Sequence, residues 1–209
     1  QGNQTAAFLK SRIFFMDNVS VEDKSDLFYQ IDLFGHGIAA ALKDFGADPD
    51  SGENKISRIK VDQVSMHLVQ HQHFAPRLLV PRADREQVIS GLEKKSFLSL
   101  EQQDYQTTLI EAGIPSADHE LIEDYTPLEV GYHWAISNDK GCYTGQEVIA
   151  RQISYDKVTR HLVGLSLANR SEVGLTLYST DKDQPVGRIT STGNSPRFGS
   201  IALAIVKRP

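Results

Sequence analysis

The sequence predicts an α+β protein, and two observations carry that prediction. Between residues 27 and 111, β-rich and amphipathic segments follow the order strand, helix, strand, strand, helix, with short links. After Arg151 the chain changes to short β-branched runs separated by Gly, Asn and Pro. The first region is therefore predicted to be a ferredoxin-like α+β module, and the second a small C-terminal β-barrel or sandwich.

Length and composition bound the class of protein. The chain has 209 residues, 40% apolar and 23% charged, which suits one or two globular domains with a real core. A net charge of −5 gives no basic surface for nucleic-acid binding by bulk charge. The single cysteine excludes an internal disulfide framework and suits a reducing, cytoplasmic compartment. No signal peptide and no apolar run of about 20 residues is visible, so no membrane span is expected.

The individual elements follow from hydrophobic periodicity and turn residues. Residues 35–45 repeat apolar side chains at the spacing of an amphipathic helix. Pro81 is a favoured first helical residue, and Ser99 with Gln102 has the spacing of a capping box. The predicted elements are a strand–turn–strand at 5–21, a strand at 27–33, a helix at 35–45, a loop at 46–54, strands at 55–61, 64–69 and 77–80, helices at 81–94 and 99–113, and strands at 158–167, 176–178, 186–190 and 200–207.

Three histidines suggest a metal site that the rest of the sequence does not support. His67, His71 and His73 would face one side of an extended strand, and imidazole is a zinc ligand. No nearby cysteine or carboxylate completes a tetrahedral set. Surface histidines are therefore the preferred interpretation, and no metal site is predicted.

Residues 140–151 hold the only cysteine, together with features that can activate it. Thr144 and Glu147 have the spacing of a capping box, which predicts a helix with Thr144 as its N-cap. Cys142 would then lie two residues before the helix, close to Lys140, and both the helix dipole and the ammonium favour the thiolate. The alternative is a small packed residue without reactivity, which is the usual role of a lone cysteine.

Two stretches of the chain resemble a known family. Residues 140–147 (KGCYTGQE) resemble the K-G-C-aromatic-x-G-Q-E signature of the YgfZ-type folate-binding proteins. Residues 127–131 (PLEVG) resemble the segment that precedes this signature in the family. These proteins are relatives of the glycine cleavage T-protein, an aminomethyltransferase, and are implicated in the assembly or repair of iron–sulfur clusters. The resemblance extends over nearly the whole chain, with its strongest motifs in these two stretches.

The resemblance implies tetrahydrofolate, or a derivative of it, as the cofactor. Glu129 would accept two parallel N–H bonds from the pterin ring, and its alternative role is a solvated carboxylate at a helix end. Lys157 falls where the transferases place a basic folate contact, while Arg160 could equally be a surface residue of a strand. Asp17, or Met16 under a one-residue shift, takes the place of the acidic residue that activates the bound substrate. The alternative role of Asp17 is that of a turn residue.

The resemblance also implies a cloverleaf of three modules. Residues 1–26 and 112–157 would be parts of a split folate-binding module, with the ferredoxin-like module at 27–111 and the β-barrel at 158–209. The chain opens at Gln1 and about fifty family-typical residues before it are absent, so the first module is expected to be incomplete.

Three functions follow as hypotheses. In the first, the chain binds tetrahydrofolate and supports iron–sulfur client enzymes, with Cys142 as a redox or sulfur-handling thiol tuned by Lys140. In the second, it is a folate-dependent aminomethyl or methyl transferase. In the third, it is a non-catalytic module that binds a partner protein.

Overall fold

The computed structural model describes residues 2–48, 54–181 and 184–208. These ranges form a mixed α+β structure with two four-stranded antiparallel sheets, and the chain divides into two compact units, residues 1–99 and 100–209. Within these ranges, no helix is long and apolar enough to cross a bilayer. The elements are α1 (Gly2–Ser11), β1 (Phe28–Asp32), α2 (Ile38–Asp44), β2 (Lys55–Val61), β3 (Val64–His71), β4 (Phe74–Pro81), α3 (Arg85–Lys94), α4 (Gln102–Glu111), α5 (Gln146–Ser154), β5 (Arg160–Ser166), β6 (Thr176–Tyr178), β7 (Pro185–Ser195) and β8 (Gly199–Lys207).

The strand–turn–strand prediction for residues 5–21 was wrong, because the segment begins with helix α1. A strand needs a neighbouring strand for its backbone hydrogen bonds, whereas a helix satisfies them within one segment. Among the described residues no strand pairs with this segment, and none of the side chains of α1 is buried.

The first unit contains a sheet with strand order β1-β4-β3-β2. The strands predicted at 27–33, 55–61, 64–69 and 77–80 are confirmed, as are the helices α2 and α3. The order along the chain is β-α-β-β-β-α, with β2, β3 and β4 as a meander, so the ferredoxin-like order β-α-β-β-α-β is not formed. Of the loop predicted at 46–54, residues 49–53 lie outside the described residues.

One face of this sheet builds the core of the first unit. Strand β3 buries every second side chain, as period-two alternation requires, and the same face of β4 contributes Leu78 and Val80. Helices α2 and α3 cover that face with Leu42, Val88 and Leu92.

An ion pair links β1 and β4 in this sheet. Asp32 and Arg77 lie directly opposite each other in the antiparallel ladder. Arg77 Nε donates to Asp32 Oδ1 at 2.6 Å and Nη2 donates to Oδ2 at 3.0 Å, which makes the pair bidentate. The register of β1 and β4 is therefore sufficient to bring Asp32 and Arg77 together.

The second unit contains a sheet with strand order β5-β8-β7-β6. The predicted C-terminal β-barrel is not formed, because β5 and β6 do not pair with each other within the described residues, and the sheet stays open. Helix α4, which the sequence analysis assigned to the ferredoxin-like module, contacts β7 and β8 instead. A side chain at Gly193 would meet Thr107 and Ile110 of α4 at 3.1 and 3.2 Å, so glycine allows this close packing. The three-module division of the chain stays a prediction.

A segment that follows α4 is fixed to β7 at an irregularity in that strand. The pairing of β7 with β8 shifts register between Ile189 and Ser191. Buried Glu120 accepts a hydrogen bond from the Ser191 hydroxyl at 2.6 Å and another from the Ser116 amide at 3.0 Å. His119 Nδ1 lies 3.1 Å from the Thr190 carbonyl oxygen. These contacts anchor the irregular chain that leads to the next turn.

Candidate functional site

The turn at residues 126–132 places a carboxylate inside the second unit. Leu128 and Val130 are buried on either side of Glu129, and Gly131 takes the positive φ of +79° that closes the turn. The Tyr132 amide donates to the Pro127 carbonyl at 2.7 Å. The two apolar anchors hold Glu129 at 3% exposure.

Arg160 and Thr126 together donate four hydrogen bonds to the Glu129 carboxylate, one to Oε1 and three to Oε2. Arg160 Nε donates to Oε1 at 2.7 Å, and Arg160 Nη2 donates to Oε2 at 3.0 Å. The amide and hydroxyl of Thr126 donate to Oε2 at 2.9 and 3.3 Å. A buried carboxylate needs such partners, because leaving it unpaired would be strongly unfavourable.

Arg160 is the first residue of β5, and its guanidinium is held on several sides. Nη2 also donates to the Asp124 carbonyl at 2.9 Å, and the guanidinium carbon lies 5.2 Å from the centre of the Tyr125 ring. The backbone adds a further link, since the Leu162 amide donates to the Glu129 carbonyl at 2.8 Å. The turn and β5 are thus joined by both side chains and backbone.

The pair keeps both of its members ionised. Burial raises the pKa of Glu129, but the hydrogen bonds from Arg160 and Thr126, with the guanidinium charge, outweigh it and hold the pKa below its ordinary value. The hydrogen bonds to Glu129 raise the pKa of Arg160 against the opposing effect of partial burial. The carboxylate and guanidinium therefore form a stable charged pair at neutral pH.

The residues around Cys142 differ from the predicted arrangement. Helix α5 begins at Gln146, and its N-cap is Gly145, with a left-handed φ of +90° and no capping side chain. The predicted capping box of Thr144 and Glu147 is therefore not formed, and the box predicted at Ser99 and Gln102 is absent as well, because Glu101 is the N-cap of α4. The Tyr143 amide donates instead to the side chain of Gln146 at 3.3 Å. Glycine is preferred here because it adopts positive φ without strain.

Cys142 lies in the exposed loop that precedes α5. The Lys140 ammonium lies 4.9 Å from the centre of the Tyr143 ring, a cation–π contact. Among the described residues, no hydrogen bond, ion pair or ring contact joins Cys142 or Lys140 to Glu129. The two predicted parts of the site are thus built separately, one on a buried turn and one on an exposed loop.

Lys157 and Asp17 are exposed, and each contacts its own neighbourhood. The Lys157 ammonium lies 5.5 Å from the centre of the Tyr155 ring. Asp17 belongs to the first unit, where its carboxylate accepts from the Phe14 amide at 2.8 Å and its own amide donates back to the Phe14 carbonyl at 2.9 Å. Asp17 therefore closes a turn, the alternative role considered for it from the sequence.

The three histidines do not share one strand face as the sequence suggested. His67 and His71 belong to β3, but His73 lies in the following turn, where its amide donates to His71 Nδ1 at 3.2 Å. Across the described ranges, no cluster of three or more His, Cys, Asp or Glu side chains is arranged to hold a metal ion.

Comparison with known proteins gives the wider relationship. No family model matches the sequence. An aminomethyltransferase of Moorella thermoacetica is 36% identical over 101 residues, which are 48% of this chain and 27% of that protein. The chain is homologous to the aminomethyltransferases. Among its relatives is also an Arabidopsis thaliana protein named as a chloroplastic transferase, 40% identical over 100 residues, which are 47% of this chain and 23% of the relative.

The fold agrees with this homology. The structure of aminomethyltransferase T of the glycine cleavage system from Bartonella henselae superimposes with a TM-score of 0.74 and 19% identity. The superposition covers 98% of this chain and 58% of that protein. The aminomethyltransferase fold thus accounts for nearly all of the chain, while the matched segments span about a quarter of the length of the curated relatives.

The sequence analysis left the role of Arg160 open. Arg160 could be read as a surface strand residue, yet it is the partner of Glu129. A signal was present in the sequence: a glutamate between the apolar residues Leu128 and Val130 is expected to be buried, and a buried carboxylate calls for a cation. Thr126, three residues before Glu129, was the second available signal.

Proposed function

We propose that this chain is part of a tetrahydrofolate-binding protein of the YgfZ type that supports the assembly or repair of iron–sulfur enzymes. The observation that carries the proposal is the homology to aminomethyltransferases, joined to the KGCYTGQE stretch on an exposed loop. When bound, tetrahydrofolate would supply a carrier for one-carbon groups. Cys142 and Lys140 are the proposed thiol site, and Glu129 and Lys157 the proposed folate-site residues of the second unit. Asp17 is retained as the acidic residue that the resemblance implies.

Groups suited to a folate are present in the second unit. Tyr132 is the last residue of the turn that contains Glu129, Trp134 lies two residues later, and their ring centres are 4.9 Å apart. Both rings are half-buried, so each offers an aromatic surface that a pterin or aminobenzoyl ring can contact. The Arg160 side chain is 38% exposed and carries the positive charge that an anionic ligand needs. This donor set is compatible with a planar, hydrogen-bonding anion such as a folate.

Titration with a reduced folate tests the proposal directly. Trp134 is the only tryptophan in the sequence, so its fluorescence reports on the second unit without competing signals. We expect saturable quenching by 5-formyltetrahydrofolate and matching heat in calorimetry. A chain that shows neither signal at millimolar ligand would exclude folate binding and leave the non-catalytic, partner-binding function.

Exposure of Cys142 makes the proposed thiol site testable by alkylation. Because the chain has one cysteine, iodoacetamide should modify the folded protein at a single position, and Cys142→Ser provides a blank. We expect labelling without denaturant. In cells that lack their own YgfZ-type protein, the wild-type chain should restore the activity of an iron–sulfur enzyme, and Cys142→Ser should not.

The second candidate is a folate-dependent aminomethyl transferase, favoured by the names of the homologues. The two functions differ in their use of the cysteine. A transferase would keep its turnover in Cys142→Ser and lose it in Asp17→Asn. The iron–sulfur function has the opposite dependence, since it needs the thiol. Full rescue of the iron–sulfur enzyme by Cys142→Ser would favour the transferase.

A further inference from the structure

The second unit contains a shallow pocket that is lined by none of the residues proposed above for folate or thiol chemistry. Its walls are the first turn of α4, the hairpin of β7 and β8, and the segment that follows β5. Its empty space is about 280 Å³, part of it open to solvent, which is below the roughly 300–1,000 Å³ of pockets that enclose a drug-sized ligand. The pocket therefore suits one small chemical group rather than a whole cofactor.

The residues that line this pocket favour an anion. Of the nine, only Arg170 is charged, and none of the nine is acidic. Hydroxyl and amide side chains can donate hydrogen bonds to an anion, and a guanidinium can donate two in parallel. Five of the lining residues have such neutral polar side chains: Gln103, Ser171, Thr192, Asn194 and Ser200.

The Arg170 guanidinium is not used by the fold. Within the described ranges no hydrogen bond, ion pair or ring contact involves this side chain, although Glu172 lies two residues away. The other arginines of the second unit have partners, as Arg160 has in Glu129 and Arg188 in the Gly174 carbonyl. Arg170 is thus a cation at the edge of a pocket that contains no counter-charge.

The backbone around the pocket is fixed before any ligand binds. The segment that carries Arg170 is tied to the sheet at both ends, since the Leu167 amide donates to the Ser200 carbonyl at 2.9 Å and the Gly174 amide to the Ile189 carbonyl at 2.8 Å. In the hairpin, the buried Ser195 hydroxyl accepts from two amides of the turn at 3.0 and 2.9 Å. A prearranged backbone lowers the entropy that binding costs.

We propose that this pocket binds a phosphate group, either inorganic phosphate or a phosphate monoester, with Arg170 as its main contact. A phosphate has three strong acceptor oxygens pointing in different directions, which matches hydroxyl and amide donors on several walls. The planar fork of arginine also fits phosphate geometry. The site is built from other residues than the proposed folate site, so the inference does not depend on the proposed function.

An NMR titration of the full chain with inorganic phosphate, at constant ionic strength, tests the proposal. We expect saturable shifts at the amides of Ser171, Gly193 and Ser200, with the amides of the first unit as the internal reference. A parallel titration with methyl phosphate distinguishes the two sources, since tighter binding of the ester indicates a monoester and tighter binding of the free ion indicates inorganic phosphate. Acetate should bind more weakly than either.

Arg170→Gln should weaken phosphate binding by about tenfold or more, because it removes a charged hydrogen-bond donor. Arg197→Gln is the matched control: it removes a positive charge from the same hairpin, but Arg197 stacks on Phe198 and does not line the pocket. It should change the affinity by less than about twofold, since exposed charges act only weakly through solvent. Asn194→Asp, at an exposed position, adds a negative charge to the lining and should abolish binding.

Circular dichroism confirms that each variant is folded, and the melting temperature provides a second measurement. Phosphate should raise it in the wild type and in Arg197→Gln, but not in Arg170→Gln. Shifts that rise without saturation, equal losses in Arg170→Gln and Arg197→Gln, or binding retained in Asn194→Asp would each overturn the site. Acetate binding as tight as that of phosphate would overturn the assignment of the ligand. None of these results would affect the proposed folate function, which the titration with 5-formyltetrahydrofolate tests separately.

Discussion

The two units of the chain each contain a bidentate pair of carboxylate and guanidinium, held by different kinds of structure. Asp32 and Arg77 face each other across a regular ladder, with bonds of 2.6 and 3.0 Å. Glu129 and Arg160 have bonds of 2.7 and 3.0 Å but join an irregular turn to the first residue of a strand.

The carboxylates differ more than the guanidiniums do. The two arginine side chains are exposed to almost the same degree, 39% for Arg77 and 38% for Arg160. The Asp32 side chain is 11% exposed, against 3% for Glu129. Equal bond lengths therefore do not mean equal roles: the first pair lies on a sheet surface, and the second holds a turn together from inside.

The largest expected effect is on stability. Glu129→Ala removes the acceptor of Arg160 and of the Thr126 amide, so it should destabilise the second unit by about 3 kcal/mol. Asp32→Ala should destabilise the first unit by about 1 kcal/mol less, because its site is more exposed. Urea unfolding followed by Trp134 fluorescence measures the first effect, and far-UV circular dichroism measures both. Equal losses would show that burial does not distinguish the pairs.

The pH dependence of the free energy of unfolding should reveal the contribution of the Glu129 carboxylate. Its pKa in the folded protein lies below the ordinary value of 4.5, so the unfolded chain binds the proton more readily. The resulting stabilisation is present above the unfolded value and is lost as the pH falls through the folded pKa. Urea unfolding between pH 7 and pH 3 should show this fall in the wild type and a shallower one in Glu129→Gln. An identical slope in the two proteins would contradict the shift.

Thr126 provides an intermediate test of the buried pair. Its hydroxyl donates to Glu129 Oε2 at 3.3 Å, a longer bond than that from its amide. Thr126→Ala removes the hydroxyl but keeps the amide, so a loss of about 0.5–1 kcal/mol is expected. Thr108→Ala, in which an exposed hydroxyl donates to the Asp104 carbonyl within α4, serves as the control in the same unit. If Thr108→Ala lost more stability than Thr126→Ala, the hydroxyl of Thr126 would have no special role in stabilising the turn.

The smallest effect is expected for the exposed pair of Glu147 and Arg151 on α5. These residues are one helical turn apart, with 3.7 Å between the charged atoms and both side chains largely exposed. A double-mutant cycle should give a coupling energy below about 0.5 kcal/mol, and salt should weaken it further. Coupling comparable to that of the buried pair would mean that burial is not the deciding variable.

The same contrast explains how much of the structure could be predicted from sequence. Apolar and polar side chains alternate over residues 59–61 and 64–68, and the strands predicted at 55–61 and 64–69 match β2 and β3 almost to the residue. The Asp32–Arg77 pair follows from strand register once the sheet is known. Regular elements were predictable because the periodicity of their apolar residues can be detected within each segment of the sequence.

The errors lie where local patterns compete with contacts from elsewhere. Thr144 and Glu147 have capping-box spacing, but the positive φ of Gly145 starts the helix one residue later and leaves Glu147 to pair with Arg151. Residues 5–21 are rich in strand-forming side chains, yet a strand cannot form without a neighbour. The openness of the C-terminal sheet depends on the pairing of distant strands, which no local pattern contains.

The two attachments of Glu129 to β5, through its side chain and its backbone carbonyl, affect how this part of the protein opens locally. Its side chain binds Arg160 and its backbone carbonyl accepts from the Leu162 amide, so the turn cannot move away from the strand one bond at a time. Fluctuations that move the turn away from the Leu162 amide must also break the ion pair between Arg160 and Glu129. The turn and the first residues of β5 thus open as one cooperative unit, and their amides should exchange with deuterium at a common rate.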